Sequence, residues 1–225
     1  MRSIDFHIHS HFSFDSIVTP QQILREARCK RLDGVAVTDH ETIQGGVATA
    51  ALNQDPNFMV VVGAEYSTEM GDIIGLFLQE EIDTRHPTEL IDEIHQQKGL
   101  VLLPHPFHGH RLIGKVLDKV DIIEFFNARE TRDNNQKAFE FAKGTNKPML
   151  CGSDAHLARD IGTCRMIFPT TDIKSHLLRN EGTAMTAYTP RYRISASQIV
   201  KALKLRRYHH VPYHAARLIK RLAMH

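Results

Sequence analysis

Short apolar runs recur along the chain, and each ends in polar or charged residues. Their content of Ile, Val, Leu and Phe is typical of buried strands. We predict seven strands from these runs, at residues 4–9, 34–40, 58–67, 72–78, 99–106, 121–129 and 148–156. Apolar residues at helical spacing predict helices between most of them, at 22–31 and near 42–53, 88–98 and 132–144. Thr19, Pro20 and Gln22 predict the start of the first helix, as N-cap, first-turn proline and capping-box residue.

The alternation of strands and helices indicates a mainly parallel sheet with right-handed crossovers. Seven strands within roughly 190 residues favour a closed or nearly closed α/β barrel. We therefore predict a barrel domain at residues 1–190 and a basic helical extension at 191–225. The extension is expected to form helices at 195–207 and 213–224 that pack on the barrel.

The predicted strands end in side chains that can bind metal ions. Ligands bind at the carboxyl ends of strands in parallel α/β folds, and strand alternation puts His7 and His9 on one face. The other strand ends carry Asp39-His40, Glu65, His105, Asn127-Ala128-Arg129 and Asp154-Ala155-His156. One histidine at a strand end is usually a hydrogen-bonded polar residue without a metal. Donors at nearly every strand end favour a metal site instead.

Six motifs together resemble one known family. They are DFHIHSHFSFDS (5–16), VTDHET (37–42), GAEYS (63–67), LPHP (103–106), EFFNAR (124–129) and GSDAH (152–156). Their order and spacing resemble those of the PHP (polymerase and histidinol phosphatase) domain family, over at least residues 1–165. The resemblance implies a distorted seven-stranded β/α barrel and a metal-dependent phosphoesterase activity.

The resemblance also implies ligands for two metal ions. The residues that match the ligands of a first metal are His7, His9, Glu65 and Asp154. Those that match the ligands of a second metal are Asp15, His40 and His156. Imidazole and carboxylate donors suit Zn, Mn or Fe.

A third metal site is implied less completely. Glu65 bridges two ions in the family pattern and so counts among the catalytic residues, and His105 joins it in the third site. The final ligand of that site is often a histidine, whereas this chain has Asn127. A neutral amide oxygen is a weak donor for a transition metal. The expected cofactors are therefore two or three divalent transition-metal ions.

A multinuclear site suits phosphate-ester hydrolysis. Two cations about 3.5–4 Å apart can hold the attacking and leaving oxygens of an in-line displacement, and a water between them becomes the nucleophile near neutral pH. We expect Arg111, Arg129 and Arg159 to bind the substrate phosphate, with Arg129 also catalytic, because guanidinium pairs bidentately with phosphate. His108 or His110 is expected to protonate the leaving oxygen. The expected substrate is a small phosphorylated metabolite or a nucleotide.

Two other functions stay open at the sequence level. Metal-dependent amide hydrolases also use His-rich barrels with H-x-H on the first strand, but they usually add a barrel lysine or a carbamate. No lysine ends a predicted strand here. The second alternative is a non-enzymatic, metal-stabilised binding module, which would be expected to lose ligands that this chain retains.

The net charge of +2 conceals an asymmetry. Residues 182–225 contain nine Lys or Arg and no Asp or Glu, which leaves 19 basic and 26 acidic residues in the first 181. We favour helices that cap the barrel and bury Ile199, Leu203, Leu218 and Leu222. The alternatives are contact with an anionic membrane surface or guidance of a polyanionic substrate such as an oligonucleotide.

The remaining composition predicts a cytoplasmic protein. The N-terminus has no long apolar segment typical of a signal peptide, and no apolar run approaches the roughly 18 residues of a membrane span. The three cysteines lack metal-type spacing and are expected to be reduced thiols.

Overall fold

The computed structural model describes residues 1–110 and 114–223. Within these residues nine strands form one sheet. They are β1 (Arg2–Ile8), β2 (Gly34–His40), β3 (Met59–Thr68), β4 (Gly71–Leu76), β5 (Leu100–Leu103), β6 (Ile122–Asn127), β7 (Met149–Gly152), β8 (Arg165–Phe168) and β9 (Thr183–Met185). The first seven correspond to the predicted strands. The sequence analysis missed β8 and β9, which are only four and three residues long.

The sheet runs in the order β7-β6-β5-β4-β3-β2-β1-β8-β9. Strands β1 to β3 pair in parallel, and so do β5 to β7. The pairings β3–β4, β4–β5, β1–β8 and β8–β9 are antiparallel. The complete sheet is therefore mixed, with four parallel and four antiparallel pairings, although four of the six pairings among the seven predicted strands are parallel. Only Glu69 and Met70 separate β3 from β4, and a two-residue connection makes a hairpin rather than a parallel crossover.

The sheet curls into a nearly closed barrel, as predicted. A parallel bridge joins Ile8 of β1 to Ala155, just beyond β7. The His9 N–H donates to the Ala155 carbonyl at 2.9 Å, and the Ala155 N–H donates to the His7 carbonyl at 3.2 Å. These bonds bring the histidines at the end of β1 next to the Asp154-Ala155-His156 segment that follows β7.

Eight α-helices are present in the described residues. They are α1 (Pro20–Cys29), α2 (Gln44–Leu52), α3 (Pro87–Gln96), α4 (Gly114–Lys119), α5 (Arg132–Thr145), α6 (Ile173–Leu178), α7 (Arg191–Lys204) and α8 (Val211–Leu222). The capping box of α1 is confirmed, because Thr19 Oγ1 accepts from the Gln22 N–H and Gln22 Oε1 accepts from the Thr19 N–H. The six-residue helices α4 and α6 are too short to show a helical period, and the sequence analysis missed them.

Apolar side chains fill the barrel and the space beneath its helices. One cluster joins residues of the central strands, including Ile4, Ala36 and Leu102. Another packs Ile23 and Leu24 of α1 against the sheet. No described helix combines the length and apolar character that a membrane span requires.

The C-terminal helices pack differently from the prediction. Helix α7 lies against the barrel and buries Ser195, Ser197 and Ala202, while α8 packs on α7 and buries no side chain fully. The predicted burial of Leu203 and Leu222 is wrong, since they are 49% and 52% exposed. The reason for Leu203 is that α7 turns small and polar residues toward the barrel, whereas Leu222 lies on α8, which packs on α7 and buries no side chain fully.

Candidate metal centre

His7 lies on β1 and His9 directly follows the strand, and neither has any exposed surface. Nδ1 of His7 lies 3.0 Å from Oε1 of Glu124, and its Nε2 lies 3.4 Å from Oε2 of Glu65. Nε2 of His9 lies 3.4 Å from the same Glu65 oxygen and 3.3 Å from Oδ1 of Asp154. The alternation of the first strand thus points two imidazoles at one pair of carboxylates.

Glu65 sits at the centre of the donors. Besides contacting His7 and His9, its carboxylate lies 3.5 Å from Nδ1 of His40 and 3.0 Å from Nε2 of His105. Glu65 lies within β3, directly across the parallel pair from His40 at the end of β2. One carboxylate is therefore within reach of four imidazoles, a position from which it could bridge two cations.

A second group of donors lies beside the first. Oδ2 of Asp15 lies 3.2 Å from Nε2 of His40 and 3.1 Å from Nε2 of His156. One ligand atom from each of His9, Asp15, His40 and His156 lies within 4.8 Å of the others. The structure therefore brings together all eight residues predicted as metal ligands, in two adjoining groups around Glu65.

The donor set fits divalent metal ions. Several buried ligand atoms lack a hydrogen-bond partner in the described structure, namely Nε2 of His9, Oδ1 of Asp15, Nδ1 of His40 and Nδ1 of His105. Buried polar atoms without partners are costly and rare in folded proteins. Nε2 of His9 is close to two carboxylates but outside hydrogen-bond geometry. A cation between these atoms would satisfy them, and mixed imidazole and carboxylate donors suit Zn, Mn or Fe.

The charges in the site are arranged for a cation. Burial and the nearby His156 lower the pKa of His9 to about 3, so its imidazole is neutral and able to donate a lone pair. Burial alone would raise the pKa of Glu65, but His40 and His7 hold it well below its usual range. Burial would also raise the pKa of Asp154, but Arg129 and His7 hold it well below its usual range. The carboxylates are therefore ionised at neutral pH.

Two of the other imidazoles bind protons in the metal-free site. Despite burial, Glu65 raises the pKa of His105 to about 9. Burial and Arg129 also oppose protonation of His156, but Asp15 raises its pKa to about 9. A metal ion would replace these protons, since only neutral imidazole is a ligand.

Backbone strain marks two of the clustered residues. His105 and Asp154 have φ angles of 25° and 50°, a region that residues with a Cβ rarely adopt. Such strain concentrates at functional sites, where the surrounding structure holds it.

Gly152 lets Glu124 and His7 approach the backbone of β7 closely. A Cβ at position 152 would lie 2.3 Å from Oε1 of Glu124 and 2.5 Å from the Cβ of His7, so a side chain does not fit there.

The model of the PHP domain matches residues 5–164, and that of a PHP-associated region matches residues 132–208. The first match covers more than half of the chain. The chain belongs to the PHP domain family.

Similar proteins extend this finding. The uncharacterised protein MJ1587 of Methanocaldococcus jannaschii is 40% identical over 141 residues, which cover 55% of this chain and 81% of that protein. A two-domain protein of Bacteroides vulgatus, described as containing a predicted PHP-like metal-dependent phosphoesterase, superposes with a TM-score of 0.70 and 17% identity. The superposition covers 83% of this chain and 65% of that structure.

A second similar structure has a different description. It is an amidohydrolase from Chromobacterium violaceum, solved with bound sulfate and no metal. It superposes with a TM-score of 0.62 and 16% identity, over 81% of this chain and 97% of that one. Because the two solved structures are only 17% and 16% identical to this chain, they establish its PHP-type fold and nothing further.

Glu124 is a site residue that the sequence analysis missed. It is fully buried on β6 of the PHP barrel. Its carboxylate contacts Nδ1 of His7 and accepts from the backbone N–H of His105 at 2.8 Å and from the Asn127 amide at 3.0 Å. Glu124 therefore orients the imidazole of His7, a role that carboxylates often have behind metal-ligating histidines, and it also holds the backbone of His105. A single Glu inside an apolar run gives no sign of this role in the sequence.

Asn127 is part of the same hydrogen-bond network. Its amide Nδ2 donates to Glu124 and, at 3.3 Å, to Asp154, while its Oδ1 accepts from the Arg129 N–H. Both ends of the amide are thus used in positioning carboxylates and backbone. Beside His105 the structure places another possible set of donors, Asp72 and His110, with ligand atoms within 4.8 Å of one another.

The pocket in front of the PHP donors has a cavity of about 230 Å³. Arg129 lies in its wall, with Nε 3.6 Å from Oδ2 of Asp154. His108 also lines it and pairs with Glu130, with Nδ1 2.7 Å from Oε1. This hydrogen bond raises the pKa of His108.

The other predicted substrate and acid residues have different positions. Nε2 of His110 accepts from the Asp72 N–H at 3.1 Å, and burial lowers the pKa of His110 to about 4. Arg159 lines a separate groove with Lys30, Arg165 and Arg193, away from the clustered donors. Arg111 lies outside the described residues.

Helix α7 contributes to the pocket of this PHP protein, which the sequence analysis did not predict. Ile194, Gln198 and Lys201 line the cavity together with the donors. Nζ of Lys201 lies 3.4 Å from Oδ2 of Asp15. The helical spacing of α7 was visible in the sequence, but the side of the barrel on which the helix packs was not.

Proposed function

We propose that this PHP domain hydrolyses a phosphate ester of a small metabolite or nucleotide with two or three divalent metal ions. The observation that carries the proposal is the convergence of Glu65, Asp15 and Asp154 with five imidazoles, several of whose ligand atoms lack any other partner. In the proposal, His7, His9, Glu65 and Asp154 hold one ion. Asp15, His40 and His156 hold the other, and His105 is available for a third. When bound, the ions activate water and neutralise charge on the phosphoryl oxygens.

The protein side chains orient the substrate and move the proton. Arg129 is held between Asp154 and Ser197, with Nη1 3.2 Å from Oγ of Ser197, so its guanidinium is fixed at the pocket wall. There it can bind phosphoryl oxygens. As the oxygen of water bonds to phosphorus and the bond to the leaving oxygen breaks, a proton must reach that oxygen. His108 is the better proton donor of the two predicted, because Glu130 favours its protonated form and His110 is buried in its neutral form.

One observation favours a second candidate function, amide hydrolysis. The similar Chromobacterium violaceum structure is described as an amidohydrolase. Against it, Glu65 occupies the centre of the donors, where amide hydrolases usually have a lysine or carbamate. We therefore rank phosphate-ester hydrolysis first.

A substrate panel tests the proposal. The manganese- or zinc-loaded protein would be assayed with p-nitrophenyl phosphate, phosphorylated metabolites, nucleotide mono- and bisphosphates, phosphotyrosine peptides and short oligonucleotides. A cyclic amide would serve as the comparison. We expect release of inorganic phosphate from at least one small ester. Turnover of the amide without phosphate release would contradict the proposal, and tight metal binding without any turnover would favour a binding module.

A further inference from the structure

One face of α7 forms a wall of the metal pocket. Ile194, Gln198 and Lys201 line the cavity and are spaced at four and three residues, which places them on the same side of the helix. Ser197, on the adjoining position, contacts the guanidinium of Arg129. Lys201 and Arg129 therefore reach the pocket from two different elements, Lys201 from α7 and Arg129 from the loop after β6.

Polar contacts fix α7 in this position. Nη1 of Arg193 lies 3.2 Å from Oδ1 of Asp160 near the start of the helix. At its other end, Nζ of Lys204 donates to the carbonyls of His11, Ser13 and Ser16 in the loop after β1. The helix is thus tied to the same loops that carry Asp15 and His156, and its pocket face keeps a defined distance from them.

Lys201 is held at the pocket by two contacts and still faces solvent. Its Nζ lies 3.4 Å from Asp15 and 4.8 Å from the centre of the Phe14 ring. That ring in turn stacks on His40 at 4.5 Å. The lysine side chain is 34% exposed, whereas Asp15 is nearly buried. The ammonium group therefore has free hydrogen-bond capacity directed at the cavity.

We propose that Lys201 binds the non-bridging phosphoryl oxygens of the substrate and selects phosphomonoester dianions over phosphodiester monoanions. This inference rests on the proposed phosphoesterase function and names its substrate class. A monoester phosphate carries nearly two negative charges near neutral pH, and the attraction of a fixed cation doubles with the charge. A diester also needs room for a second substituent, in a cavity of about 230 Å³ that Ile194 and Gln198 line.

Kinetics of Lys201→Ala on a matched pair of substrates test the inference. The metal-loaded variant would be compared with the unmodified protein on p-nitrophenyl phosphate and bis-p-nitrophenyl phosphate. We expect KM for the monoester to rise roughly tenfold and kcat/KM for the diester to change by no more than about threefold, so that the monoester preference falls. Lys201→Arg should restore most of the preference, since it keeps the cation. Lys220→Ala, a charge removal on exposed α8, is the control.

Two further measurements separate the possible failures. Metal content should be the same in Lys201→Ala as in the unmodified protein, and a loss of metal would overturn the inference by showing a structural role through Asp15. Equal loss of monoester and diester turnover would also overturn it. Calorimetric titration with inorganic phosphate gives a readout without turnover. If the unmodified protein hydrolyses neither of these esters nor any other ester of the substrate panel, the proposed function fails. Weaker phosphate binding by the variant would then still support Lys201 as an anion ligand, and unchanged binding would overturn it.

Discussion

The histidines of β1 show what a sequence can predict at the scale of single residues. The spacing of His7 and His9 predicts one shared face, because strand side chains alternate, and both side chains meet Glu65 and Asp154. Glu124 shows what the sequence could not predict. Its contact with His7 joins residues 117 positions apart, on strands β6 and β1, and the sequence does not show that these strands come together.

Replacing a proposed ligand should remove both metal and activity. We expect Asp154→Ala to lower bound metal by at least one ion per chain and to abolish phosphate-ester hydrolysis, because Asp154 is one of only two described carboxylates that lie within 4 Å of Nε2 of His9. Elemental analysis and an initial-rate assay measure the two effects. Asp133→Ala, on the exposed surface of α5, is the control. Metal content and turnover like those of the unmodified protein would remove Asp154 from the ligand set.

Replacing Glu124, which lies behind the metal-type donors, should weaken metal binding more than it changes the geometry of the site. Glu124→Gln keeps the shape of the side chain but removes the charge that orients His7 and receives the His105 N–H. Changes of this kind typically weaken metal binding about 10–100-fold. Competition with a chelating dye would measure the metal dissociation constant. An unchanged constant would show that Glu124 acts only in packing.

At the scale of elements, helix positions were predicted better than helix environments. The pattern of α7 predicts a helix at the correct place, but burial of Leu203 was predicted from amphipathicity alone. A helix that lines a polar pocket turns polar side chains inward, and a hydrophobic pattern does not reveal this exception. The antiparallel β3–β4 hairpin could have been recognised, because the interval between the two predicted strands is too short for a parallel crossover.

Deleting α8 should leave the pocket intact. Helix α8 buries no side chain fully and does not line the cavity. We expect removal of residues 208–225 to lower Tm by only about 2–4 °C, which corresponds to about 1 kcal/mol for a chain of this size. Turnover of p-nitrophenyl phosphate should be unchanged. Removal of 191–225 takes away α7 and Lys201 as well, and is the comparison.

A large loss of Tm or turnover on removal of 208–225 alone would contradict this division of roles. It would show that α8 supports the barrel more than its exposed side chains indicate. Calorimetry of the two truncated proteins, with and without metal, would separate a loss of folding from a loss of metal binding.

For the whole molecule, metal binding and stability should be linked. The site gathers three buried or nearly buried carboxylates, Asp15, Glu65 and Asp154, whose pKa values lie below their usual range, so that they attract a divalent ion. A ligand that binds only the folded state at 100 times its Kd stabilises it by about 2.7 kcal/mol. We expect saturating Mn²⁺ to raise Tm by about 5–10 °C over the stripped protein. Equal Tm values in scanning calorimetry would contradict a folded-state metal site.

The most direct test of a metal-dependent phosphoesterase follows activity and occupancy together. Protein stripped by a chelator would be titrated with Mn²⁺ or Zn²⁺ while bound ions and p-nitrophenyl phosphate hydrolysis are measured on the same samples. The arrangement of donors predicts no hydrolysis by the stripped protein, a rate that rises with metal occupancy, and loss of the rate when chelator is added again. Full hydrolysis by protein that elemental analysis shows to be free of metal would contradict the account.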